Sequence, residues 1–190
     1  MIATLRQMSV FLTLMLVTMQ ALAQDDPKPK TLGPKIVLAQ FAGTWDAEVK
    51  SYFKGPDGPV TESRGVETTE AIAGGAALRT SFKFKLQGIG FAGHGLIGFD
   101  ARAKEFTATH VSNFVTTPYQ SRGQYDAERK TLTMLNIIVD ASGKEQRQKE
   151  VITIVDENTK TIVFYDLVEK NGEKQEVKLM EITLKKQPKD

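Results

Sequence analysis

Phe99-Asp100-Ala101-Arg102-Ala103-Lys104, Tyr125-Asp126-Ala127-Glu128-Arg129-Lys130, Val139-Asp140-Ala141-Ser142-Gly143-Lys144 and Val155-Asp156-Glu157-Asn158-Thr159-Lys160 are versions of one phrase. Each has an apolar residue, an Asp, a few mostly small or polar residues and a Lys. An Asp carboxylate accepts from backbone N–H groups two residues on and so starts a turn. The apolar residue then ends one strand and the Lys opens the next. Repeated turns of this kind predict an antiparallel meander.

The segments between the turns read as strands. Trp45, Ala47, Val49, Ser51 and Phe53 alternate with Asp46, Glu48, Lys50 and Tyr52, the period of a half-buried strand. Leu78, Thr80, Phe82, Phe84 and Leu86 alternate with Arg79, Ser81, Lys83 and Lys85. A polar strand from Val60 to Ile72 separates them, bounded by Gly55-Pro56-Asp57-Gly58-Pro59 and Gly74-Gly75. Gly88 to Gly95 reads as a glycine-rich link and Phe114 to Tyr119 as an irregular loop. Asn171-Gly172 is a hairpin signal. Short turns and about ten strands predict an all-β, up-and-down barrel behind a short helical lead-in at Ile36 to Phe41. Closure removes two exposed sheet edges, and a barrel that wide need not be filled by side chains.

Met1 to Gln7 carries one positive charge, Arg6, before an uncharged apolar run, and Ala21-Leu22-Ala23 has the small-x-small pattern of a signal-peptidase site. This predicts a cleaved signal peptide over 1–23, a flexible Pro- and Lys-containing lead-in over 24–35 and one barrel domain over 36–190. The expected location is the periplasm or the outside. No other apolar run reaches the ~20 residues of a membrane helix, so no span is expected in the mature chain. The chain has 190 residues, no cysteine and a formal net charge of +2. Disulfides and thiolate chemistry are excluded. With no basic stripe, nucleic-acid binding is not expected. The sequence does not specify an oligomeric state.

Gly43-Thr44-Trp45 resembles the G-x-W signature of lipocalins and related calycin barrels, in which the Trp plugs the closed end. The resemblance implies a basic residue over that Trp, with Lys185 or Lys186 as candidates. Gly74-Gly75, Gly98-Phe99-Asp100, Gly123-Gln124-Tyr125-Asp126 and Leu179 to Leu184 resemble the bacterial domain-of-unknown-function family 1579, across Gly43 to Lys186. That implies a lipocalin-like barrel and no particular activity. In that family a Trp usually stands where this chain has His110. Nitrobindin-like haem barrels share the G-x-W opening, but their ligand His lies late in the chain, and none follows His110 here.

Candidate chemistry is sparse. Gly88-Ile89-Gly90-Phe91-Ala92-Gly93 matches G-x-G-x-x-G, but no helix follows to hold a pyrophosphate. Read as a barrel-mouth gate, Gly88, Gly90, Phe91 and Gly93 form the mobile element. If Asp100 pairs with Lys104, His94 faces His110 across the sheet, a possible metal or haem pair; a one-residue change of register separates them. The turn aspartates stand singly beside lysines, unlike a calcium loop. No acid, base and nucleophile set assembles for an enzyme. The leading expectation is non-catalytic binding of a small, largely apolar molecule by a barrel lined by Trp45, Phe82, Phe84, Phe106 and His110, with no cofactor. The alternatives are a filled barrel acting as an envelope interaction protein, and metal or haem binding through His94 and His110.

Overall fold

In the computed structural model the described residues are 32–188, apart from 54, 56, 57, 87, 140–142 and 171. The expected signal peptide, most of the lead-in, the Asp140 turn and Asn171 lie outside them. Helix α1 (Pro34–Phe41) precedes ten strands: β1 (Gly43–Ser51), β2 (Thr61–Ile72), β3 (Ala77–Leu86), β4 (Ile89–Asp100), β5 (Glu105–Ser112), β6 (Val115–Asp126), β7 (Thr131–Val139), β8 (Glu145–Asp156), β9 (Thr159–Lys170) and β10 (Glu173–Lys186). Each pairs antiparallel with its neighbours in sequence, and β1 pairs with β10, closing the barrel. Pro34 starts the helix, where its missing N–H costs nothing.

The Asp turns behave as read, with one difference of consequence. Asp100 Oδ1 accepts from the N–H groups of Arg102 and Ala103, and Asp126 Oδ1 from those of Glu128 and Arg129. These bonds hold the Asp100 carboxyl below its ordinary range. In both turns the Lys does not open a strand: Lys104 and Lys130 sit at φ 57° and 51°, the left-handed residue that completes the turn. The Asp156 turn is shorter. Asp156 pairs directly with Thr159, leaving only Glu157 and Asn158 between them. Lys160 therefore falls not in a turn but inside β9, where it is buried.

Two other expectations are corrected. Gly88 to Gly95 is not a loop: Gly88 forms the tight β3–β4 turn at φ 82°, while Gly90, Phe91 and Gly93 belong to β4. The β4–β5 register pairs Asp100 with Glu105, not Lys104. His110 thus lies opposite Gly95, and His94 opposite Val111. His110 points inward and His94 outward, so they do not form a metal or haem pair. The extra left-handed residue in the turn supplies the one-residue shift.

The end carrying α1 is closed by a polar knot. Trp45 is buried, and its indole N–H donates to the Phe41 carbonyl at 3.2 Å. Lys160 Nζ donates to the same carbonyl at 3.2 Å and to Glu67 Oε1 at 2.6 Å. A helix leaves its last carbonyls without internal partners and negative, so a cation is favoured there. The ammonium also lies 4.3 Å from the Trp45 ring centroid, while Lys186, anticipated from the resemblance, stands 5.0 Å from it. Gly43 sits at φ 144°, a backbone conformation that other residues rarely adopt, which favours glycine here.

Breaking a buried pair from one side leaves an uncompensated charge. Lys160→Met is expected to lower unfolding stability by about 3–5 kcal/mol in urea titration. The double variant Glu67→Gln/Lys160→Met is expected to recover most of that loss. A single variant within about 1 kcal/mol of the native protein would show that the pair does not hold the closed end.

Candidate functional site

Above the knot the interior is not filled. A cavity of about 120 Å³ is bordered by the apolar Phe82, Phe84, Phe91, Ile152, Ile162 and Phe164 and by the polar Glu67, Thr80, His110, Tyr119, Glu150 and Lys160. Strand alternation places these groups. Successive inward positions of β3 are Leu78, Thr80, Phe82 and Phe84; those of β5 are Phe106, Ala108 and His110; those of β8 are Gln148, Glu150 and Ile152.

Of the residues expected to line the barrel, Phe82, Phe84 and His110 border the cavity. Trp45 and Phe106 do not; they are packed into the core, Phe106 against Phe99 at 5.1 Å between ring centroids. The mouth is a run of rings. Phe82 meets Phe84 at 5.2 Å, Phe84 meets Phe91 at 4.5 Å, and Phe91 meets the exposed Phe114 at 5.6 Å. Asn113 fastens this rim: its side chain accepts from the Ala92 N–H at 2.9 Å and donates to the Gly90 carbonyl at 2.8 Å. Phe91, expected on a mobile loop, lies on β4 and borders the cavity.

The segment read as an irregular loop, Phe114 to Tyr119, is mostly strand, but its far side is unpaired. The β6–β7 ladder runs only from Ser121↔Asn136 to Asp126↔Thr131. Beyond it the strands part, with Pro118 on the open edge, where a missing N–H is tolerated. A groove of about 650 Å³ lies there, bordered by Tyr119, Asn136 and Ile137. Ser121 and Asn136 stand at the fork, and Ser121 Oγ and Asn136 Oδ1 are buried without hydrogen-bond partners among the described residues.

The sequence reading did not identify the polar lining, apart from His110. The His110 ring stacks on Tyr119, centroids 5.2 Å apart, and its Nε2 is buried with no partner among the described residues. Burial lowers the imidazole to about 4, so it is neutral at pH 7. Burial also pushes the Tyr119 phenol up, reinforced by the Glu150 charge. Glu150 is buried, and none of the hydrogen bonds seen among the described residues ends on it. Its carboxyl is raised to about 7, first by burial and then by Glu67, with Lys160 pulling the other way. Buried, perturbed groups facing a cavity are the signature of a functional site.

These two groups bias stability in opposite directions. Glu150, raised in the fold, contributes stability that is complete below about 4.5 and lost as pH rises through about 7. His110, depressed in the fold, contributes stability that is complete above about 6.5 and lost as pH falls through about 4. Between pH 4.5 and 6.5 the slopes offset one another. Compared with the native protein, Glu150→Gln is expected to lose stability more steeply on acidification, and His110→Gln more steeply as pH rises from 4.5 to 7. Parallel urea-unfolding profiles for all three proteins would contradict these assignments.

Comparison with known proteins agrees with the architecture. No curated protein matches the sequence. Among solved structures, the chain is similar to the S-type phycobiliprotein lyase CPES from Guillardia theta, at 8% identity and a TM-score of 0.55, covering 84% of this chain and 96% of that one. It is also similar to EF1p2_mFAP2b bound to DFHBI, at 12% identity and a TM-score of 0.43, covering 82% of this chain and 100% of that one. A de novo designed fluorescence-activating beta barrel matches at 14% identity and a TM-score of 0.41, covering 80% and 97%. The likeness to the lyase is one of fold. The model of the family described as "Protein of unknown function (DUF1579)" matches residues 31–186, helix and barrel together, and the chain belongs to that family.

Proposed function

We propose that this is an exported, non-catalytic binding protein that holds a small, largely apolar molecule inside the barrel, with the molecule's polar end against Glu150 and His110. The apparent leader at Met1 to Ala23 supports export. One observation carries the binding reading: the cavity joins apolar residues to the buried His110 Nε2 and to Glu150, neither of which has a hydrogen-bond partner among the described residues. Native interiors satisfy almost all such groups, so a site built this way is suited to a partner from outside. At about 120 Å³ the space approaches that of engineered cavities of about 150 Å³ that take up benzene. A group of one ring enters with little change, and a larger molecule displaces Phe91.

A second reading, an envelope interaction protein, rests on a different observation. Leu135, Ile137 and Val139 are exposed in an outward row on β7, beside the open edge of the β6–β7 fork. An apolar row next to unpaired backbone suits a protein partner.

Native mass spectrometry of protein purified without denaturation is expected to show a retained small molecule that is lost on unfolding, and lost sooner from Phe91→Ala. An empty mass, together with unchanged amide NMR shifts at Phe82, Phe84 and Ile152 on adding toluene, would overturn the binding reading.

A further inference from the structure

We infer that the cavity selects small organic ammonium ions, with a protonated amine at one end and a ring or short apolar body at the other. This rests on the binding reading above and adds the chemical class. Glu67 already has its counter-ion, since Lys160 Nζ lies 2.6 Å from its carboxylate. No cation among the described residues hydrogen-bonds to Glu150. The titratable groups around it are Glu67 from β2, His110 from β5, Tyr119 from β6 and Lys160 from β9. His110 is neutral and Tyr119 is an uncharged phenol at pH 7. With Glu150 ionised, two carboxylates border the cavity with one ammonium, that of Lys160; Lys186, which acts on Lys160 from the Trp45 ring, does not border it, so the lining itself lacks one positive charge.

An ammonium ligand supplies that charge. Its N–H groups donate to Glu150 and to the unpartnered His110 Nε2, and its body lies against Phe82, Phe84 and Phe91. Ring faces attract cations, most strongly where water is excluded. An anionic ligand would meet Glu67 and Glu150 as like charges. A hydrocarbon would leave the buried Glu150 carboxyl without a partner, which is costly.

Benzylamine and ethylbenzene share a shape and differ in charge, and amide NMR titration reads both. At pH 8 the native protein is expected to bind benzylamine at least tenfold more tightly than ethylbenzene, the scale of one buried charge-assisted contact. Binding needs ionised Glu150, which titrates near 7, so benzylamine affinity is expected to fall about thirtyfold between pH 8 and pH 5.5. His110, depressed to about 4, stays neutral across that range. Glu150→Gln is expected to lose both the preference for benzylamine over ethylbenzene and its pH dependence. Equal binding of the two probes by the native protein, or an amine preference that survives in Glu150→Gln, would overturn the ammonium assignment and leave the binding reading standing. Binding of neither probe would overturn both.

Discussion

The Phe41 carbonyl accepting from both Trp45 and Lys160 is the contact on which the rest of the structure depends. It is the last residue of α1, and its oxygen has no partner within the helix. One donor comes from the first strand and the other from the ninth, so the bonds tie the plug to segments far apart in the chain that closure of the barrel brings to within one strand of each other. Val37, Leu38 and Phe41 are buried with Trp45 in the same core. Apolar burial supplies most of the driving force, while the polar contacts fix where the helix ends and how it is oriented.

The knot also sets the electrostatics of the cavity above it. A buried lysine requires a buried anion, and Glu67 meets that requirement. Thr69 donates to the same Glu67 oxygen at 2.7 Å, holding the carboxylate toward the closed end. Glu67 is thereby committed, and its charge adds to the cost of ionising Glu150. The closed end therefore produces the unusual carboxyl in the open one. Structural closure and the polar lining of the cavity are thus linked by charge.

Much of the fold was legible in the sequence because strand alternation and Asx turns are local signals. The inward row Trp45, Ala47, Val49 and Ser51, and the placement of Phe82 and Phe84, follow from period two alone. What escaped depended on counting residues through turns. The phrase ending in Lys130 has four residues between its paired ends and keeps the Lys in the turn; the phrase ending in Lys160 has two and sends the Lys inside. Nothing local distinguishes them before pairing is known. The same kind of slip separated His94 from His110. Glu150 was hidden for another reason. Glu150 shares the inward face of Ile152 and Ile154 by alternation, but a charged residue at the polar end of a strand reads as solvated until closure of the barrel buries it. A buried charge carries no composition signal of its own.

The central claim is that the barrel holds a cavity in which Glu150 is buried without a hydrogen-bonding counter-ion among the described residues. A ¹³C NMR titration of the Glu150 side-chain carboxyl, assigned against Glu150→Gln, tests it most directly. The account predicts a midpoint near pH 7 in the ligand-free protein. A midpoint at the ordinary glutamate value of about 4.3 would mean that the carboxyl is solvated or paired, and would contradict it.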